Sequence, residues 1–153
     1  AAKPAAKSSG FFVHPAQNPV ILPQFSMQYD SYFKTFEVSQ EFAGIIAEYD
    51  PFHNGHAWQL AQAKALGAER VAVAMSCSLV QRGALPLLPE AVRTRSALTC
   101  GADLVFALPA PCACAGAEAF ARAGVALLAA AGGDGLVFGA ETPDAALLME
   151  AAE

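Results

Sequence analysis

From residue 43 onward the sequence alternates short apolar runs with longer stretches of helical periodicity, and that rhythm restricts the chain to few folds. Residues 43–47 read as a buried strand, 55–66 as a helix closed by Gly67, and 70–75 as a second, valine-rich strand. Residues 89–100 suit a helix with proline in its first turn and Gly101 past its end, and 103–108 suit a third strand stopped by Pro109. The alanine-rich stretch 115–131 supplies another helix, broken by Gly132 and Gly133. A fourth strand follows at 135–138, then a helical start at Pro143. Strands alternating with helices in this way predict an α/β fold, a Rossmann-like open parallel sheet with flanking helices. Ligands of such sheets sit in the crevice at the carboxyl ends of the strands.

The first 42 residues differ in character. They open with the small-residue linker "AAKPAAKSSG", and Pro15, Pro19 and Pro23 interrupt anything regular that follows. They read as a flexible or non-native extension without a catalytic role. His14 lies among prolines and is expected to be solvated, and "SYFKTFEV" is the one segment with the pattern of an amphipathic strand. The other 111 residues are enough for one domain with its own core.

Composition excludes several classes of function. Hydrophobic residues make up 55% of the chain, yet no apolar run reaches the roughly 18 to 20 residues that span a bilayer. The nearest candidate, 115–131, carries Glu118 and Arg122 four apart, a polar stripe on a packed helix, so no membrane partner is expected. A net charge of −5 offers no basic field for nucleic acid, and RNA contact would require residues beyond these. The four cysteines show no repeated C-x-x-C spacing, and no secretory apolar segment stands near the start, so a reduced, cytoplasmic setting is expected. Cys112 and Cys114 form a C-x-C without a second ligand pair, so no metal site is assigned.

The stretch "EYDPFHNGH", 48–56, falls at the end of the first predicted strand of the domain. It would deliver His53 and His56 to the start of the following helix, three residues apart and able to share a face. A helix amino end has unpaired N–H groups and a partial positive charge, which favours an anion such as phosphate, and Gly55 lets backbone approach it closely. Two imidazoles there can donate to phosphate oxygens that gain charge during displacement at phosphorus. The plain alternative is that one histidine caps the turn while the other packs in the core.

This H-x-G-H after a strand resembles the nucleotidyltransferase superfamily. Within it, "GIIAEYDPFHNGH" (44–56), "VAVAMSCSLVQRG" (71–83), "GADLVFALP" (101–109) and "LVFGAE" (136–141) resemble the tRNA(Met) cytidine acetate ligase family in its order and spacing. The resemblance implies an enzyme that uses ATP, with Mg2+ accompanying it, to activate acetate as acetyl-adenylate. The acetyl group then passes to N4 of the wobble cytidine of elongator tRNA(Met). It implies catalytic roles for His53 and His56. The implied ATP contacts are Ile46, Ala47, Glu48, Tyr49, Asp50, Pro51, Phe52, His53, Asn54, Gly55, His56, Ala57, Trp58, Gln59 and Gly139. Arg82 and Arg93 are further cations near the strand ends, able to meet phosphate or RNA or to form surface salt bridges. Residues 43–153 would then be an H-x-G-H nucleotidyltransferase-like ATP-binding domain, truncated at its C-terminus relative to the family, where later residues complete the ATP site and the RNA surface.

The chain departs from the family pattern in places. Asp50 stands where the family has asparagine, Cys77 where it has glycine, Glu90 where it has lysine, and Ala107 where it has glutamate. A carboxylate at Asp50 repels phosphates unless magnesium lies between or the side chain turns away. Two other readings stay open. One is a nicotinate mononucleotide or phosphopantetheine adenylyltransferase, although Glu48 and Tyr49 replace the Gly-(Ser/Thr)-Phe usual there. The other is a degenerate nucleotide-binding fragment.

Overall fold

The computed structural model describes residues 20–23, 42–139 and 150. The linker at 1–10, His14, "SYFKTFEV" and the helical start at Pro143 lie outside the described residues. The elements are β1 (Val20–Pro23), β2 (Phe42–Ala47), α1 (Asn54–Ala65), β3 (Arg70–Ser76), α2 (Glu90–Thr99), β4 (Leu104–Leu108), α3 (Ala110–Ala113), α4 (Ala117–Ala130) and β5 (Gly135–Phe138). A 3-10 turn, Gln81–Gly83, precedes α2. The strands form one sheet in the order β1-β5-β2-β3-β4, in which β5, β2, β3 and β4 are parallel and β1 is antiparallel to β5. The α/β architecture predicted from the alternating pattern is therefore the observed one.

Each parallel strand forms where its sequence reads as a continuous apolar run, as strands covered on both faces require. β3 is the clearest: from Val71 to Ser76 every residue is buried, because β2 and β4 flank it and helices cover both its faces. Its alternate residues serve two cores. Val71, Val73 and Met75 join Ile45 of β2, Leu60 and Ala63 of α1 and Ala97 of α2. Ala72 and Ala74 face the other way with Leu108 of β4 and Leu128 of α4. The helices so flank the sheet on both faces, α1 and α2 on one and α4 on the other.

α4 lies close to β2 because small residues stand at the contact: a Cβ on Gly124 would lie 2.8 Å from Ile46 Cδ1. Glu118 and Arg122, the polar stripe read from the sequence, make an exposed i,i+4 ion pair at 2.8 Å. The predicted ends of α1 and α2 fall at Gly67 and Gly101, whose φ values of 107° and 114° suit glycine past a helix end.

Two elements differ from the sequence reading. Residues 20–23, within the stretch read as an extension, form an edge strand paired to β5 from Val20↔Phe138 to Pro23↔Gly135. Proline is tolerated there because an edge strand needs partners on one side only. The predicted 115–131 helix starts at Ala117, and the short α3 stands before it, since Pro109 and Pro111 favour a helix start and Gly116 interrupts. All four cysteines are free thiols. Among the described residues no helix is long and apolar enough to cross a membrane.

Candidate functional site

The chain leaves β2 at Ala47 and enters α1 at Asn54. β2 is also where the order of connections reverses, because β3 follows it in sequence on one side while β5, the last strand, pairs on the other. A crevice at the carboxyl ends of β2 and β5 is the general ligand position of such sheets. Gly139, exposed, directly follows β5 there. Gln59 of α1 ties the two strands' surroundings together by donating from Nε2 to the Val137 carbonyl at 3.3 Å.

The intervening turn, 48–53, is pinned on several sides. Tyr49 has φ 52°, a left-handed conformation that costs a bulky residue on the order of 1–3 kcal/mol. Its ring is 1% exposed and packs edge-on to Phe52 at 4.9 Å and against His56 at 4.8 Å. Burial pushes the phenol pKa well above its ordinary value, and the hydroxyl finds no hydrogen-bond partner among the described residues. On one side of Tyr49 the Glu48 carboxylate accepts from Gln81 N–H. On the other the Asp50 carboxylate accepts from Leu87 N–H at 2.7 Å and Leu88 N–H at 3.3 Å. Of the two escapes open to a carboxylate at Asp50, the geometry shows a side chain turned toward the segment before α2.

His53 and His56 form a reciprocal capping box. His53 is the N-cap of α1, its Nδ1 accepting from Gly55 N–H at 3.1 Å, while His56 Nδ1 accepts from His53 N–H at 3.3 Å. The rings stack 3.7 Å apart at 23°. An imidazole nitrogen that accepts carries no proton, so each neutral ring holds its proton on Nε2. Burial, with the neighbouring His53 second, lowers the His56 pKa to about 4. His53 N–H and Gly55 N–H are taken by these imidazoles, and His56 N–H bonds to the His53 carbonyl. The amides that an anion at a helix start ordinarily uses are thus largely committed, and among the described residues the donors left at this helix start are the two Nε2–H groups with Asn54 N–H. The plain alternative of a capping histidine and a packed one describes part of what both rings do, and it leaves Nε2 available.

The other residues expected at the site divide. Ile46 faces α4 in the far core, and Ala47 and Phe52 pack against the near one. Pro51 and Asn54 are exposed, and Ala57 and Trp58 are half-buried on α1. Arg82 lies in the 3-10 turn. Arg93 is corrected: it makes no surface salt bridge, but is completely buried and bonded to backbone carbonyls. Cys77 supplies one of those carbonyls. Glu90 stands in the first turn of α2, where the helix dipole favours a carboxylate, and Ala107 lies exposed on β4. Sequence reasoning missed Ser76, also fully buried, which bonds Arg93 through its carbonyl at 2.9 Å and its Oγ at 3.3 Å. A polar residue closing an otherwise apolar strand was its only signal.

A turn carrying H-x-G-H between a parallel strand and a helix is the mark of one class of proteins. The family model for HIGH Nucleotidyl Transferase matches residues 40–153, and the chain belongs to that family. Among its relatives, the chain is 47% identical over 111 residues to a tRNA(Met) cytidine acetate ligase of Syntrophotalea carbinolica, covering 72% of this chain and 26% of the relative. It is 43% identical over 111 residues to the ligase of Caldicellulosiruptor saccharolyticus, covering 72% and 28%. The crystal structure of Thermotoga maritima TmcAL bound with alpha-thio ATP superposes with a TM-score of 0.58 at 35% identity, over 61% of this chain and 23% of that one. The chain spans about a quarter of the length of these relatives.

Proposed function

We propose that this chain carries the ATP-binding, acetate-activating part of a tRNA(Met) cytidine acetate ligase, in a cytoplasmic setting. The observation that carries the proposal is the histidine pair. Both Nδ1 atoms are spent on the helix start, so both Nε2–H groups are available as donors beside the crevice of a sheet whose ATP-analogue-bound neighbour has the same fold.

In the first step an acetate oxygen attacks the α-phosphorus of ATP. The bond to the bridging oxygen of the β-phosphate breaks, and pyrophosphate leaves with that electron pair, giving acetyl-adenylate. His53 and His56 donate from Nε2 to α-phosphate oxygens whose charge grows in the transition state. A His56 pKa of about 4 makes this ring a neutral donor near pH 7. In the second step the cytidine N4 amine attacks the acetyl carbon, AMP leaves, and the amine loses its proton to solvent. The acidic chain offers no basic field for tRNA, and about three quarters of each relative's length lies outside the part this chain matches.

Residues 46–59 and Gly139 form the ATP-binding segment. Within it Tyr49, Asp50 and Phe52 hold the turn, and His53, Asn54 and His56 face the nucleotide. Mg2+, as the counterion of ATP, would neutralise phosphate charge. Among the described residues no group of three or more His, Cys, Asp or Glu side chains could hold a metal ion.

The test is to incubate the purified chain with ATP and radiolabelled acetate and look for acetyl-adenylate, beside His56→Ala. Acetate-dependent product that falls at least about 100-fold in the variant is the expected result, since positioned donors are worth that much. ATP binding without product would leave a nucleotide-binding domain, and a His56→Ala variant with unchanged binding and turnover would reject the histidine assignment.

A further inference from the structure

Arg93 is 0% exposed, and among the described residues every group it bonds is neutral. Nε donates to the Leu88 carbonyl at 3.1 Å. Nη1 donates to the Glu48 carbonyl at 2.7 Å, the Ser76 carbonyl at 2.9 Å and Ser76 Oγ at 3.3 Å, and Nη2 donates to the Cys77 carbonyl. No carboxylate pairs with it: the salt bridges among the described residues are Lys64–Asp103 and Arg122–Glu118. The nearest acidic side chains in the turn are directed elsewhere, Glu48 to Gln81 N–H and Asp50 to Leu87 and Leu88 N–H.

A cation buried without a counterion is costly, and neutral donors would satisfy carbonyls at lower cost. The location gives the reason. Glu48 and Cys77 lie just past β2 and β3 and Ser76 ends β3, all at the carboxyl end of the parallel sheet, the end at which ligands of such folds sit. A phosphate placed there comes near the dipoles of their carbonyls. A guanidinium that binds them cancels their field and leaves one unneutralised positive charge under the site.

We propose that Arg93 is a positioning residue for the phosphates of ATP, gathering the strand-end carbonyls of Glu48, Ser76 and Cys77 and supplying the positive floor beneath the H-x-G-H turn. It touches no nucleotide; it acts on the phosphoryl chain through charge and through the turn it holds. The inference rests on the ATP reading above.

The experiment compares the purified chain with Arg93→Lys and Arg93→Met, measuring affinity for ATP and for adenosine by titration calorimetry, with circular dichroism as the check on folding. Adenosine shares the base and ribose but has no charge. Arg93→Met is expected to lose about tenfold or more in ATP affinity and less than about twofold in adenosine affinity, the size of one unit charge acting in a partly desolvated site. Arg93→Lys keeps the charge with fewer donors, so its ATP-to-adenosine ratio should stay within about threefold of wild type even if its melting temperature drops. Parallel losses for both ligands would reduce Arg93 to a structural tie and overturn the proposal. Should Arg93→Met fail to fold, Arg93→Lys decides alone: a collapsed ratio with intact structure refutes the charge role. A wild-type chain that binds neither ligand removes the ATP reading and this inference with it, whereas a wild type that binds ATP beside variants of unchanged ratio removes only the inference.

Discussion

Replacing Asp50 separates the geometry of its side chain from its charge. One carboxylate oxygen accepts two amides, at 2.7 Å from Leu87 N and 3.3 Å from Leu88 N, and so staples the turn after β2 to the segment that leads into α2. Asparagine at this position keeps an Oδ1 able to accept both, and alanine keeps nothing. Hydrogen bonds to a charged group contribute about 1.5–3 kcal/mol, and the exposure of the shorter bond moves the value to the low end. Asp50→Ala should therefore cost about 1.5 kcal/mol and Asp50→Asn about 0.5 kcal/mol. With a urea slope of about 2 kcal/mol per molar, the unfolding midpoint falls by about 0.75 M for alanine and about 0.25 M for asparagine. Urea titration followed by circular dichroism reads both shifts directly. ATP titration of the same proteins adds the electrostatic half: asparagine removes a negative charge near the crevice, so it should bind ATP at least as tightly as wild type and more tightly than alanine. Equal midpoint losses for alanine and asparagine would refute the idea that acceptor geometry is what Asp50 contributes. Weaker ATP binding by Asp50→Asn would refute the idea that its charge opposes the phosphates.

Other perturbations test neighbouring parts of the turn. Tyr49→Phe removes a buried hydroxyl that has no partner among the described residues, so stability should hold or rise by up to about 1 kcal/mol, and a urea midpoint that drops would show that the hydroxyl is bonded. For His56, a folded pKa of about 4 against the ordinary 6.5 means that between these values the unfolded chain binds the proton and the folded one does not. Stability therefore falls as pH drops from about 6.5 to about 4 and levels off below. His56→Gln should flatten that part of the pH profile of the urea midpoint, and an unchanged profile would place the titrating group elsewhere.

The sheet and its main helices were legible because their signal is local. The valine-rich run at β3 and the glycines after α1 and α2 need no knowledge of distant residues. What remained illegible depends on distant partners. Arg93 read as a possible surface cation since nothing in its own segment shows that the Glu48 carbonyl, 45 positions away, lies within bonding distance. Whether the Asp50 carboxylate faces the phosphates, meets magnesium or turns away stayed open because its amide partners stand 37 and 38 positions on. β1 stayed hidden because prolines mark it as irregular, and only its pairing with β5 makes it a strand. The site falls between these cases. The three-residue spacing of the histidines put both on one helix start, yet the same spacing is that of an N-cap and its N3 partner, so the reciprocal bonds were within reach of the sequence and went unread.

That capping box also bears on how such a chain drifts. Serine, asparagine and aspartate are the preferred residues for closing a helix start, and a lineage selected only for folding would exchange the imidazoles for them at little cost. Here the two jobs share the same atoms' neighbours: losing either ring loosens α1 and removes an Nε2 donor together. If the proposed phosphate role holds, substitutions at His53 and His56 are visible to selection twice over, and a descendant that had stopped handling nucleotides should betray it first at these two positions, where a better cap would take over.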